Sequence, residues 1–325
     1  MAAAIRVHEV GGPEVLRFEE VEVGAPGPGQ VRLRQTAIGL NYIDVYFRTG
    51  LYPVPGLPFT PGLEGAGVVE AIGDGVTEVE VGDRVAYAAP PVGAYAETRL
   101  MQADRLVVLP DGISDQQAAA MMLKGMTAQY LLRRTFRVEP GQTILFHAAA
   151  GGVGLIACQW AKHLGARVIG TVGSEAKAEL ARAHGCDAPI RYDRDDVVSR
   201  VRELTDGKGV PVVYDSVGQS TFEASLDCLA PLGTLVSFGQ SSGSIPPVNL
   251  GILSQKGSLY VTRPTLMTYT AARKDLLASA KELFAVVESG AVKINVHQTF
   301  ALREAADAHR ALEGRQTTGS TVLLP

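Results

Sequence analysis

Cysteine is scarce in this chain: Cys158, Cys186 and Cys228 are the only three in 325 residues. They are too few and too scattered for a disulfide framework. The odd count points to a reducing compartment, in which each is a small buried apolar residue. An excess of positive charge is missing too. With 30 Lys and Arg against 34 Asp and Glu, the net charge is −4, which gives no basic stripe for nucleic acid. No apolar run reaches the ~18 residues of a membrane-crossing helix, and the amino terminus has no basic stretch followed by an apolar signal core. The expectation is a cytoplasmic protein with neither a membrane nor a nucleic acid as partner. The six histidines, His8, His147, His163, His184, His297 and His309, are widely spread and read as surface or structural groups rather than metal ligands. There is no solenoid-period repeat and no low-complexity tract. What remains is an ordinary composition, 46% hydrophobic and 20% charged, in a chain long enough for two domains.

The most informative segment is Thr143 to Gly154, T-I-L-F-H-A-A-A-G-G-V-G, where an apolar strand runs into a glycine-rich turn and directly into a helix expected over Val153 to Leu164. Backbone approaches a pyrophosphate closely only where Cβ is absent, and the free amides at a helix start supply donors and partial positive charge. Gly151, Gly152 and Gly154, with Val153 between them, are the candidate pyrophosphate residues. The first glycine of the usual G-x-G-x-x-G pattern is replaced by Ala149, but the strand-turn-helix context is the one the pattern needs.

A second strand, Arg167 to Val172, ends where an enzyme preferring NAD would place an acid for the ribose hydroxyls. Gly173 and Ser174 stand there, Lys177 follows one helical turn on, and Tyr192 lies beyond the next strand-like stretch. A 2′-phosphate carries about −1.5 to −2 charges near neutrality. A lysine ammonium, a serine hydroxyl, a phenol and a helix N-terminus suit it, so these residues point to NADP(H). Glu175 dissents, because it has two places to go: inward to a ribose, or outward as an ordinary first-turn acid.

Two rhythms divide the chain. From Ala2 to about Leu109, short β-branched runs are punctuated by Gly and Pro. One short helix is expected there, Tyr42 to Arg48 after Asn41, followed by a loop with Pro53, Pro55, Pro58 and Pro61 that reads as a pocket wall. From about Met126, strands and helices alternate through Thr262, which implies a parallel sheet whose six strands complete a dinucleotide fold. The tail carries helices expected over Ala272 to Ser289 and Arg303 to Glu313 and a last strand, Ser320 to Leu324. The class is α/β, with a doubly wound domain over 126–264 and a β-rich domain from 1–125 and 265–325.

Several motifs together resemble the zinc-independent NADPH:quinone oxidoreductases, the ζ-crystallin-like members of the medium-chain dehydrogenase/reductase superfamily. They are N-Y-I-D-V-Y at Asn41 to Tyr46, G-D-R-V at Gly82 to Val85, L-K-G-M-T-A at Leu123 to Ala128, A-A-A-G-G-V-G at Ala148 to Gly154, V-V-Y-D-S-V-G at Val212 to Gly218, and G-S-L-Y-V-T-R-P at Gly257 to Pro264. The resemblance runs end to end. It implies a GroES-like catalytic domain, a Rossmann domain with a six-stranded parallel sheet, NADPH as cofactor, and a homodimer with the strand near Leu259 to Thr262 at its interface. It also implies that Asn41, Thr127, Phe238, Gly239, Gln240, Ser241 and Thr265 lie near the dinucleotide. Arg263 and Arg315 are further candidates, for phosphate or for the dimer interface.

Zinc-dependent relatives hold a metal with a ligand just before the first-domain helix and with a histidine in G-H-E. Here Asn41 occupies the first neighbourhood and Gly62-Leu63-Glu64 replaces the histidine with leucine, which ligates nothing. A simple ketone needs a Lewis acid or strong proton donor to carry charge on its oxygen during hydride transfer. A quinone needs much less, because its ring is already a good acceptor, so the protein has mainly to position two flat rings. Another small electrophile, such as an alkene activated by a carbonyl, fits nearly as well. The candidate catalytic residues are Asn41, Tyr46 and Tyr52, with Asp44 as an orienting group. Proton supply is left open between Tyr46, Tyr52 and solvent, as is the transfer of hydride or of single electrons. A ζ-crystallin-like structural or RNA-binding role is the reading from another class, and the acidic balance argues against it.

Overall fold

The computed structural model describes residues 1–54 and 56–325, so Pro55 of the proline-spaced loop lies outside the described residues. The chain forms two compact units, one of residues 1–126, 270–281 and 294–325, the other of residues 127–269 and 282–293.

The first unit begins with strands β1 (Ala2–Val7), β2 (Leu16–Val21) and β3 (Gln30–Leu40), then helix α1 (Tyr42–Arg48). Strands β4 (Glu64–Ile72), β5 (Arg84–Ala88), β6 (Thr98–Gln102) and β7 (Val107–Val108) follow, and helix α2 (Asp115–Tyr130) runs to the unit's edge. Buried Val31 and Leu33 alternate with outward residues at the start of β3, and Ile5, Leu33, Ile38, Val69, Val85 and Tyr95 meet in one core. Helix α1 begins where the sequence predicts because Asn41 closes a capping box: Asp44 Oδ2 accepts from the Asn41 backbone N–H at 2.9 Å.

The second unit alternates β8 (Thr143–Phe146), α3 (Gly152–His163), β9 (Arg167–Val172), α4 (Glu175–Ala183), β10 (Ala188–Arg191), α5 (Val197–Leu204), β11 (Val210–Asp215), α6 (Phe222–Asp227), β12 (Leu229–Ser237), α7 (Gly251–Gln255) and β13 (Tyr260–Thr262), then α8 (Leu266–Tyr269). The strand order is β10-β9-β8-β11-β12-β13 and every pairing is parallel. That is the doubly wound order of a dinucleotide-binding sheet, in which ligands lie outside the carboxyl ends of the strands. Helix α9 (Arg273–Glu288) is shared between the two stretches of chain, and β14 (Val296–Ala301), α10 (Ala305–Glu313) and β15 (Ser320–Leu324) return to the first unit. There β15 pairs with β3, and the sheet runs β14-β15-β3-β4-β5-β7, with β6 also on β3.

Two elements depart from the sequence reading. Helix α2 starts eleven residues before the change of rhythm at Met126. It is apolar nearly all round, with Ala118, Ala119, Ala120, Met121 and Met122 all buried, so it shows no amphipathic stripe. Strand β14, V-H-Q-T-F-A, is half-buried along its length and lacks a clean alternation.

Candidate active site

In the second unit, the sequence-predicted dinucleotide residues other than Thr127 follow the carboxyl ends of parallel strands. After β8, Gly151 caps α3, and the Leu155 N–H returns to the Gly151 carbonyl at 2.9 Å. A Cβ on Gly154 would collide with the Ala148 carbonyl oxygen and the Ala149 backbone, so only glycine lets the first turn of α3 fold tightly onto the strand end. Ala148 takes the left-handed conformation, φ 54°, that turns the chain there. Gly152 and Val153 are the first two helical residues, half-buried at the amide-rich end.

After β9, Gly173 leads to Ser174, whose hydroxyl caps α4 by accepting from the Lys177 N–H at 3.3 Å. Strand β10 pairs Arg191 with Val172, so Tyr192 arrives level with Gly173, and the Tyr192 N–H bonds the Val172 carbonyl at 3.1 Å. A Cβ on Gly173 would collide with the Tyr192 hydroxyl. Gly173, Ser174, Lys177 and Tyr192 are thus brought together at the carboxyl end of β9. Glu175 points to guanidiniums: its two oxygens accept from Arg182 at 3.3 Å and Arg191 at 3.2 Å.

At the end of β11, the Asp215 carboxylate accepts from the Val217 and Gly218 amides and from the hydroxyls of Thr221 and Ser225, all within 3.1 Å, so it is a loop-capping group. After β12 come Phe238, Gly239, Gln240 and Ser241. Phe238 packs on Phe146 with ring centroids 5.7 Å apart, and the Ser241 N–H returns to the Ser216 carbonyl at 3.2 Å. Arg263, past β13, donates to the Ser237 carbonyl at 2.9 Å, and Thr265 is exposed at the start of α8. Thr127 is buried near the end of α2 and hydrogen-bonds Tyr130.

The remaining predicted residues lie in the first unit. Tyr46 is buried on α1, and its ring lies 5.1 Å from that of Tyr52, whose N–H reaches back to the Tyr46 carbonyl at 3.0 Å. Tyr42 extends the aromatic row at 5.6 Å from Tyr46. Arg315 follows α10 in a left-handed conformation, φ 57°, and acts electrostatically on Tyr42.

Beneath α1 is a buried polar cluster that reading single motifs does not reveal. Strands β3 and β4 pair Gly39 with Glu64, which sets the Glu64 carboxylate beside Asn41. Glu64 is wholly buried: Oε2 accepts from Asn41 Nδ2 at 2.7 Å and Lys124 Nζ at 3.2 Å, and Oε1 accepts from the Leu123 N–H at 2.6 Å. Leu63, in the histidine position of a metal-binding motif, is buried and apolar. Among the described residues, no group of three or more His, Cys, Asp or Glu side chains is arranged to hold a metal ion. The sequence signals for this cluster were Glu64 in G-L-E and Lys124 in L-K-G-M-T-A.

A directional hydrogen-bond chain continues from Asp44. Arg48 bonds both oxygens of Glu313 at 2.8 Å and donates to His309 Nδ1 at 2.9 Å. A guanidinium only donates, so neutral His309 carries its proton on Nε2 and gives it to the Tyr95 hydroxyl at 3.0 Å, while Tyr95 donates to Asp44 Oδ2 at 3.0 Å. Burial, reinforced by Arg48, pushes the His309 pKa down to about 3, which keeps the ring neutral. Burial raises the Asp44 pKa to about 7, against the opposing hydrogen bonds from Asn41 and Tyr95 and the charge of Lys124. Asp44 Oδ1 is buried without a hydrogen-bond partner, which is the local reason its charged form is disfavoured.

With this geometry in place, the comparisons with known proteins agree with one another. Residues 27–111 match the family described as the alcohol dehydrogenase GroES-like domain, and residues 152–281 match the zinc-binding dehydrogenase family. Over 325 residues, covering 100% of both chains, the sequence is 60% identical to a quinone oxidoreductase of Pseudomonas aeruginosa. It is 50% identical over 332 residues to a 2-haloacrylate reductase of a Burkholderia species, covering 100% of this chain and 99% of that one. The crystal structure of Escherichia coli quinone oxidoreductase complexed with NADPH superposes with a TM-score of 0.98 at 51% identity, covering 100% of each chain. The fold and the strand-end site define a medium-chain dehydrogenase/reductase, and the chain belongs to the quinone oxidoreductase family within that superfamily.

The raised pKa of Asp44 has a stability consequence. Between the ordinary carboxyl pKa of 3.8 and about 7, the folded protein keeps a proton that the unfolded chain has released, so stability falls as pH rises through that window. Asparagine at this position does not titrate. From pH 5 to pH 8, urea unfolding is expected to shift in favour of Asp44→Asn relative to the parent by roughly 2–3 kcal/mol. Parallel stability curves would contradict this.

Proposed function

We propose that the protein reduces quinones with NADPH. The observation that carries the proposal is the full-length similarity to quinone oxidoreductases, read together with the grouping of Gly173, Ser174, Lys177 and Tyr192 at the carboxyl end of β9. NADPH, when bound, supplies the hydride. The residues present fit it: Gly154 lets the first, amide-rich turn of α3 fold tightly onto the end of β8, and after β9 the Glu175 carboxylate is turned to Arg182 and Arg191. In this reading the α3 amides bind the pyrophosphate, and Ser174, Lys177 and Tyr192 bind the 2′-phosphate. Within the second unit, Phe238 to Ser241, Thr127 and Thr265 line the rest of the dinucleotide, with Arg263 as added positive charge.

On the acceptor side, Tyr46 and Tyr52 offer a tilted aromatic pair for a flat ring and phenol protons for the oxygen that gains charge. Asp44 holds the start of α1, and with it Asn41, in place. A quinone suits a site in which Leu63 stands where a metal ligand would be, because its reduction needs little Lewis-acid help. The similarity to a 2-haloacrylate reductase supports a second reading, reduction of an alkene activated by an adjacent carbonyl or carboxylate. A homodimer is proposed from the edge strand β13, where Tyr260 and Val261 are exposed and unpaired on one side of the sheet. No helix among the described residues is long and apolar enough to cross a membrane.

Lys177→Ala is expected to weaken NADPH binding by about 1.5–3 kcal/mol, the range for a charge-assisted hydrogen bond, with NADH hardly affected. Titration calorimetry with both dinucleotides checks this, and equal losses would contradict the phosphate role. In a panel of quinones and enones assayed with saturating NADPH, quinones should give the higher kcat/KM. A consistent preference for enones would favour the second reading.

A further inference from the structure

Glu175 sets a problem for a pocket that takes a phosphate. It is the first residue of α4, directly after the cap Ser174 and two residues before Lys177. A carboxylate there repels a 2′-phosphate dianion and suits the two hydroxyls of an unphosphorylated ribose. Two guanidiniums answer its charge. Glu175 Oε2 accepts from Arg191 Nη1 at 3.2 Å and Oε1 from Arg182 Nη1 at 3.3 Å, which holds the carboxyl pKa below its usual range.

The two arginines are not equivalent. Arg182 lies in the last turn of the same helix, and its side chain is half exposed. Arg191 ends β10, immediately before Tyr192, and its side chain is only 20% exposed. It is anchored on its far side by Asp193, whose two oxygens accept from Nε at 3.2 Å and Nη2 at 2.6 Å in a forked pair. An isolated surface ion pair contributes little, but this one is part of a four-charge network built on a bidentate arginine. It also ties the start of α4 to the end of β10, the two elements that carry Lys177 and Tyr192.

We propose that Arg191 is a specificity-determining residue. By pairing with the Glu175 carboxylate and cancelling its charge, it lets the pocket favour a phosphorylated ribose although the chain places an acid at its edge. The inference rests on the NADPH reading above and assigns the preference to a residue outside the direct phosphate set. Its action is indirect, so it depends on Glu175 being present.

The test is equilibrium binding of NADPH and NADH to the full chain, for the parent, Arg191→Ala, Glu175→Gln and the double variant. Arg191→Ala should lower the ratio of NADPH to NADH affinity about five- to tenfold, the scale of an uncovered charge near a dianion in a high-dielectric surface setting. Adding Glu175→Gln to Arg191→Ala should return the ratio to within about twofold of the parent, because the charge that needed cancelling is gone. A ratio unchanged in Arg191→Ala would overturn the inference. So would a double variant as impaired as the single one, which would mean that Arg191 acts on the phosphate by itself. A parent protein with equal affinity for both dinucleotides would instead overturn the cofactor reading, a separate failure. Circular dichroism melts of all four proteins identify any loss that comes from unfolding.

Discussion

A carboxylate with no exposure to solvent constrains the first unit more than any other group. Burying an ion costs several kcal/mol unless partners with good geometry surround it. Glu64 meets that requirement with a side-chain amide, a backbone N–H and an ammonium, drawn from the residue that caps α1 and from the middle of α2. Strand β4, helix α1 and helix α2 must therefore converge at one point, and Asn41 is fixed where they meet. The same convergence occupies, with amide and ammonium, the neighbourhood that metal-dependent relatives use for an ion.

The second unit solves a different problem, that of holding a highly charged ligand with mostly neutral groups. Its sheet order brings six strand ends to one side, and at two of them the fold removes a side chain so that backbone or phenol can come close. Gly154 admits the first turn of α3 against the Ala148 carbonyl, and Gly173 admits the Tyr192 hydroxyl. Charge is then added sparingly. In the proposed reading Lys177 supplies it directly, while the Glu175, Arg191, Arg182 and Asp193 network keeps a neighbouring acid from opposing it.

Much of this was legible in the sequence. The helix Tyr42–Arg48 and the strands Thr143–Phe146, Arg167–Val172 and Ser320–Leu324 fall where caps, glycines and apolar runs place them. So do the turn at Gly151 to Gly154 and the grouping of Ser174, Lys177 and Tyr192, because each depends on local chemistry or on the spacing of a strand-helix unit. Helix α2 and strand β14 were missed because burial on all sides, or partial burial along a whole strand, erases periodicity. The polar cluster was missed for another reason. Glu64, Tyr95, Lys124 and His309 are 31, 29 and 185 residues apart in turn, and only the pairing of β3 with β4 and the return of α10 unite them. Glu175 was legible as a question, and its answer required the register that carries Arg191 to the end of β10.

The central claim is that this chain passes reducing equivalents from NADPH to a quinone with protein groups alone around the acceptor. The most direct test measures turnover and metal content on one sample, before and after exhaustive treatment with a chelator. The account predicts undiminished NADPH-dependent quinone reduction at far less than one metal ion per chain. Activity that falls in step with the metal, and returns when the metal is restored, would contradict it.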